Sequence, residues 1–269
     1  MDQSLSELCA QSREIVVKAG QFILSQVGEV AEAAIEEKDL NSLVSYVDKK
    51  AEAMLIVGLT ELLPGSVFFT EEETVERQEG EWRWIIDPLD GTTNFLRQLP
   101  VFSVSVALQH HGETVIGLVY EVNRDECFYA WKGGGAWMND QPILVSKTKT
   151  LASSFLATGF PYYDFEWTDP YLAVLKHFIQ QTRGVRRMGS AAVDLAYVAC
   201  GRFDAFYEYS LNAWDVAAGI LLIQEAGGKV TDFSGGSDYL FGRQLISSND
   251  LLHEEIQAVI QQHFQLLLK

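Results

Sequence analysis

A chain of 269 residues, 48% of them hydrophobic, is long enough to bury a substantial core, either as one large domain or as two small ones. Its formal net charge of −17 argues against a nucleic-acid partner, because phosphate neutralisation needs clustered Lys and Arg. Cys9, Cys127 and Cys200 are an odd number without paired spacing, which fits a reduced protein better than a disulfide-bonded secreted one.

Met1-Asp2-Gln3-Ser4 lacks the basic start and apolar core of a secretory leader. No apolar run reaches the roughly 18 residues that span a bilayer, so the expectation is a soluble, cytoplasmic protein without a membrane partner. Apolar residues at helical spacing from Leu5 to Val27 predict an amphipathic helix over 4–27. A second helix is predicted over 46–63 and is stopped by Pro64-Gly65. Ser66 to Thr70 reads as a short strand running into Glu71-Glu72-Glu73. A second strand through Trp84-Ile85-Ile86 delivers Asp87 and Asp90 into a turn shaped by Pro88 and Gly91. Three further strands, Phe102 to Gln109, Glu113 to Val122 and Glu126 to Trp131, predict an antiparallel meander. From residue 168 onward helices (168–182, 191–200, 215–226, 250–267) alternate with strands (184–188, 204–209, 229–232), the pattern of an α/β layer. No Pro, Ser or Gly-rich linker divides the halves, so one domain over 1–269 is expected, with subregions 1–150 and 151–269. The longer polar connections near 31–45 and 233–245 are of a kind that often lines sites, although plain surface loops are commoner.

The chemistry concentrates in Trp84 to Phe95. Carboxylates bind hard cations, and the free N–H groups of a helix start bind anions, so this stretch suits a phosphate bridged to the protein by Mg²⁺. Two ionised carboxylates ~4 Å apart would repel by ~4 kcal/mol at an effective dielectric near 20. Either one takes a proton or a divalent cation lies between them; the alternative is a capped turn with no ligand. Glu71 ends a strand shortly before Asp87, and pairing of the two strands would bring their acids to one rim, where the alternative is a solvated acidic edge. Asp215 opens a helix that begins Trp214-Asp215-Val216-Ala217-Ala218-Gly219, and read alone it is an ordinary N-cap. Its small residues would let that helix press closely on a neighbour. Gly189-Ser190-Ala191, after Arg186-Arg187, reads either as a plain Ser cap or as a helix start that receives substrate. His110 and His111 sit in a hairpin turn, and no His pair has zinc spacing, so no zinc site is expected. No nucleophile elbow or nucleotide-phosphate loop is present.

Three motifs, Phe69-Thr70-Glu71-Glu72, Trp84 to Phe95, and Trp214 to Gly219 with its helix end Gln224-Glu225-Ala226-Gly227-Gly228, together resemble the inositol monophosphatase family in order and spacing. The resemblance runs over nearly the whole chain. It implies an α+β or α/β layered fold, the alternating α-β-α-β-α sandwich of the sugar phosphatases. It further implies Mg²⁺-dependent, lithium-sensitive hydrolysis of a small phosphate monoester, and a homodimer. Carried over residue by residue, Glu71, Asp87 and the Leu89 carbonyl would hold a first Mg²⁺, and Asp87, Asp90 and Asp215 a second. A third, weaker ion found in some members would lie near Glu71. The backbone N–H groups of Gly91 and Thr92 would face the phosphate, and Asp48 matches the acid that pairs with Thr92. Gly189, Ser190, Ala191 and Glu208 fall where the family contacts ring hydroxyls, and Asp90 and Asp215 border the same substrate.

The implied reaction is in-line attack of water, activated by the first metal with Glu71 and Thr92, while the second metal stabilises the leaving alkoxide. The chain departs from the family at Thr70, where Gly is usual, and at Leu96-Arg97, where a His is common. Related nucleotide 3′-phosphatases, acting on 3′-phosphoadenosine 5′-phosphate, commonly carry Lys-Glu-Phe where this chain has Thr93-Asn94-Phe95. That difference favours inositol phosphate or a similar polyol phosphate over the nucleotide, with fructose-1,6-bisphosphate and histidinol phosphate as further alternatives. Outside enzymology, the alternatives are a regulatory binding protein that keeps the fold and a metal-stabilised scaffold without turnover.

Overall fold

Ser4 caps the first helix, α1 (Leu5–Ser25), by accepting the Glu7 N–H, while the Glu7 carboxylate returns to the Ser4 N–H. A hairpin of β1 (Glu36–Asp39) and β2 (Ser42–Val44) leads to α2 (Tyr46–Leu62), where Asp48 is the returning carboxylate on the Ser45 N–H. The computed structural model describes residues 4–31, 36–39, 42–162 and 164–264. Part of the loop expected near 31–45 and the last residues of the helix predicted to 267 lie outside this set.

A seven-stranded sheet follows, in spatial and chain order: β3 (Val67–Thr70), β4 (Trp82–Asp90), β5 (Ser103–His110), β6 (Glu113–Glu121), β7 (Glu126–Trp131), β8 (Ala136–Met138) and β9 (Gln141–Ile143). A short helix, α3 (Thr92–Leu96), stands between β4 and β5. The meander is antiparallel as predicted, and only the β3–β4 pair is parallel. The second sheet contains β10 (Phe155–Thr158), β11 (Gly184–Arg186), β12 (Ala205–Tyr209), β13 (Lys229–Thr231) and β14 (Gln244–Ser248), in the order β11-β10-β12-β14-β13. Its helices are α4 (Thr168–Gln181), α5 (Ala191–Ala199), α6 (Ala213–Glu225) and α7 (His253–Phe264). Strands β10 and β14 correct the sequence reading, which left both as connection. Four residues are too few to show a period at β10, and the serines of β14 look like loop until the sheet supplies their partners.

The packing is the expected five-layer α-β-α-β-α sandwich. Helices α1 and α2 cover one face of the large sheet, α5 and α6 fill the middle, and α4 and α7 cover the far face of the small sheet. Alternation along the strands produces this. Trp84, Ile86, Val104, Val106 and Leu108 pack under α1 and α2, whereas Ile85, Ala107, Val119 and Phe128 face the middle helices. Helix α6 lies close on the sheet, as its small residues predicted: a Cβ at Gly117 would stand 2.6 Å from the Ala218 carbonyl oxygen. The three cysteines are free thiols, and burial pushes Cys9 and Cys127 up to about 12, which leaves them unreactive. Among the described residues no helix is long and apolar enough to cross a membrane.

His253 at the start of α7 is fully buried, with Nε2 2.9 Å from Thr231 Oγ1 and Nδ1 2.8 Å from Ser248 Oγ. Burial, reinforced by Lys229, holds its imidazole down at about 4. The unfolded chain protonates this histidine near 6.5, so below that pH it binds a proton the folded state refuses, and stability falls with pH through this window. The expected loss between pH 7.5 and pH 5 is about 2 kcal/mol. Urea unfolding of the wild type and of His253→Gln at both pH values checks it; an equal loss in the two proteins would contradict the assignment.

Candidate active site

The parallel β3–β4 pair is the first requirement of the site. Thr70 lies opposite Ile86, and the Glu71 N–H donates to the Ile86 carbonyl at 3.1 Å, so both strands end at one rim. The Glu71 and Asp87 carboxyl groups are in hydrogen-bond contact there. The second requirement is a bulge. Between the pairs Asp87–Ser105 and Asp90–Ser103, β4 uses three steps against two on β5. Residues three apart in a regular strand face opposite sides; the extra residue at Pro88-Leu89 turns Asp90 back to the side of Asp87. Both acids line one small, polar cleft of about 130 Å³.

Gly91 ends β4 in the left-handed region, at φ 94, and caps α3. A Cβ there would meet the carbonyl oxygens of Val101 and Gly189 at 3.0 and 3.1 Å, so position 91 admits only glycine without strain. Thr92 then points its hydroxyl at Asp48 Oδ1 and the Leu89 carbonyl, 3.0 Å from each. Asp48 is buried in α2 and its other oxygen accepts the Ser45 N–H and O–H. Asn94 ties this turn to the next segment by donating to the carbonyls of Val101 and Met188.

Asp215 arrives from the middle layer. Trp214 packs against Phe69 with the rings tilted and their centroids 5.3 Å apart, and its carbonyl accepts the Ser105 hydroxyl at 3.1 Å, which docks the start of α6 at the same rim. Asp215 is not the N-cap, as the sequence alone suggested; Asn212 is, and Asp215 is the third helical residue, accepting the Asn212 N–H at 2.6 Å. Ser190 caps α5 as read, yet its hydroxyl and the Ala192 N–H both donate to Asp90 Oδ2 at 2.7 Å. The Ser190 hydroxyl is therefore engaged by Asp90, and Gly189, Ser190 and Ala191 all line the cleft.

Asp87, Asp90, Asp215 and Glu208 are all shifted upward. Burial, then the charges of Glu71, Asp90 and Asp215, raise Asp87 well above the usual carboxylate range. Burial lifts Asp215 to about 7, with Asp90 adding to it. Burial lifts Asp90 to about 6 against the hydrogen bonds of Ser190 and Ala192. Glu208, on β12, is raised by burial in the same cleft. Such a set, all oxygen donors with the Leu89 carbonyl at its edge and no lysine among the described lining residues, fits a hard divalent cation. The rim acids are gathered loosely. Among the described residues the one trio whose ligand atoms all lie within 4.8 Å is Glu81, His110 and His111, at the opposite end of β4. Only strand pairing assembles that trio, by setting Trp82 against His110.

The sequence reading missed Arg187, Tyr162 and Asp194. Arg187 donates to the Tyr162 hydroxyl at 2.7 Å, and both line the cleft. Asp194, 1% exposed with Oδ1 unpartnered, stands behind Ala191 near Glu208. The only sequence signal for Asp194 was an acid on an otherwise apolar helix, Ala191 to Ala199.

A model of the inositol monophosphatase family matches residues 4–265. An inositol-1-monophosphatase of Mesorhizobium japonicum is 40% identical over 248 residues, covering 92% of this chain and 93% of that one. The Nus factor SuhB of Pseudomonas aeruginosa is 39% identical over 256 residues, covering 93% and 94%. The crystal structure of the extragenic suppressor protein suhB of Bartonella henselae superposes with a TM-score of 0.88 at 38% identity, covering 92% of this chain and 96% of the other.

Proposed function

The chain belongs to the inositol monophosphatase family and is a phosphoric monoester hydrolase, and from this membership we propose that it hydrolyses inositol monophosphate or a similar polyol phosphate by direct attack of water. The observation that carries the proposal is the convergence of Glu71, Asp87, Asp90 and Asp215 beside the Gly91–Thr92 turn, in one cleft. Glu71, Asp87 and the Leu89 carbonyl would hold one Mg²⁺, and Asp87, Asp90 and Asp215 a second. Bound there, Mg²⁺ supplies a Lewis acid that offsets phosphate charge, lowers the pKa of water and stabilises the leaving alkoxide.

The chain's own groups do the positioning. The first N–H groups of α3 have no intrahelical partner and bind phosphate oxygens at Gly91 and Thr92. The Thr92 hydroxyl directs its one proton at Asp48 or the Leu89 carbonyl, which leaves its lone pairs to accept a hydrogen bond from the attacking water; as water gives up that proton, Thr92 passes its own to the Asp48 carboxylate. At the alcohol end, Glu208 and Asp194 offer buried carboxyl groups that pair with hydroxyls, beside Arg187.

Phosphate release from inositol 1-phosphate, 3′-phosphoadenosine 5′-phosphate, fructose-1,6-bisphosphate and histidinol phosphate, at equal concentration, tests this reading. The polyol monophosphate is expected to lead in kcat/KM by about tenfold or more, since unpaired polar groups penalise the wrong substrate. A lead by either bisphosphate would overturn it. Relatives named Nus factor SuhB, at 39–40% identity, favour a second, non-catalytic role beside hydrolysis. Rescue of a deletion phenotype by a catalytically dead variant would support that role.

A further inference from the structure

Helix α2 presents two buried acids to the β3–β4 end of the large sheet, Asp48 and Glu52, one helical turn apart. Asp48 holds Thr92 at 3.0 Å. Glu52, 0% exposed, holds the other side of the site. Its Oε1 accepts the Thr70 hydroxyl at 3.0 Å, the Thr74 N–H at 2.9 Å and the Thr74 hydroxyl at 2.5 Å, and its Oε2 accepts the Glu72 N–H at 2.9 Å. All four donors come from segment 70–74, and Glu71 lies inside it. On its far side Glu71 is tied to β4 through the Ile86 carbonyl.

A buried carboxylate survives only while its donors stay in place, and the donors are fastened by the same bonds. Segment 70–74 is thereby pinned to α2, and Thr70, which stands where the family usually has Gly, supplies the first pin. We propose that Glu52 is a positioning residue that sets Glu71, and that α2 works as a jig. Asp48 places Thr92, Glu52 places Glu71, and their separation is inherited from four helical steps, about 6 Å of rise. The inference rests on the reading of Glu71 as a residue that holds Mg²⁺.

Glu52→Gln is a selective probe. Its amide oxygen keeps the three donors of Oε1, whereas its NH₂ meets the Glu72 N–H donor to donor. MgCl₂ titration, followed by the rise in melting temperature, measures metal affinity without turnover. Glu52→Gln is expected to raise the Mg²⁺ concentration for half-maximal shift about tenfold, the size seen when groups supporting a ligand are removed. Phosphate release at saturating Mg²⁺ should fall less than about threefold, because the ligands themselves remain. Thr74→Val, a near-isosteric change that keeps the fold, should move the half-point about two- to threefold the same way. Unchanged Mg²⁺ half-points in both variants, or lost turnover with intact Mg²⁺ affinity, would overturn the jig. No Mg²⁺ shift in the wild type would overturn the reading of Glu71 and the jig together, and that result is read from the wild type alone.

Discussion

Asp87→Asn is expected to reduce Mg²⁺-dependent phosphate release by about 10³-fold or more, equivalent to ~4 kcal/mol of barrier, while leaving the fold intact. The substitution is nearly isosteric, and the side-chain oxygen that accepts the Leu89 N–H at 2.9 Å is retained. What is lost is the charge that both proposed metal positions share. The same change should raise stability in the absence of divalent ions by about 1 kcal/mol, because it relieves a buried carboxylate repelled by Glu71, Asp90 and Asp215. In Mg²⁺ the order reverses. A ligand at a hundred times its Kd stabilises the wild type by about 2.7 kcal/mol, roughly 5–10 °C for a chain of this size, and the variant gains little. Steady-state phosphate release, with melting curves in EDTA and in MgCl₂, checks both halves. A variant retaining more than about a tenth of the wild-type rate would remove Asp87 from the centre of the site.

Thr92→Val should lower kcat by 10²- to 10³-fold, roughly the worth of a positioned proton acceptor, with Mg²⁺ affinity and KM nearly unchanged. Valine fills the same volume but offers no lone pair to water and no proton to Asp48. Asp48→Asn should reproduce most of the loss, because its NH₂ cannot face the Ser45 donors and still present an oxygen to Thr92 in the same way. If the two act as one unit, the double variant will be little worse than either single one. Single-turnover phosphate release separates this from slow product departure. Additive losses would mean that Asp48 serves the α2 cap and Thr92 serves phosphate binding, independently of each other.

Most residues of the candidate site were legible because they sit in three short stretches whose order is itself informative: an acid run after a strand, two acids around a turn with Pro and Gly, and an acid in the first turn of a helix of small residues. Helix α2 was bounded within a residue of its observed end, and β7 over its full extent, since long amphipathic or alternating runs carry their own period. Strands β10 and β14 carried no such period and escaped. Glu52 looked like an unexceptional helix acid, and nothing local marks it, because its four donors belong to a segment 18 to 22 residues away. Arg187 and Asp194 escaped for the same reason.

By itself, then, the sequence determined which acids are available, that they end strands or lie in the first turn of a helix, and that oxygen donors of this kind suit a hard cation. Those properties follow from side-chain chemistry and local periodicity. Only the tertiary structure decided that β3 runs parallel to β4, so that Glu71 meets Asp87 instead of lying at the other end of the strand. It alone decided the bulge that turns Asp90 inward, the bonds from Ser190 and Ala192 to Asp90 across 100 and 102 residues, and the docking of Trp214 that brings Asp215 to the rim. Each of these is a contact between distant segments, chosen by the burial of both sheet faces against helices, and no local pattern encodes the partner.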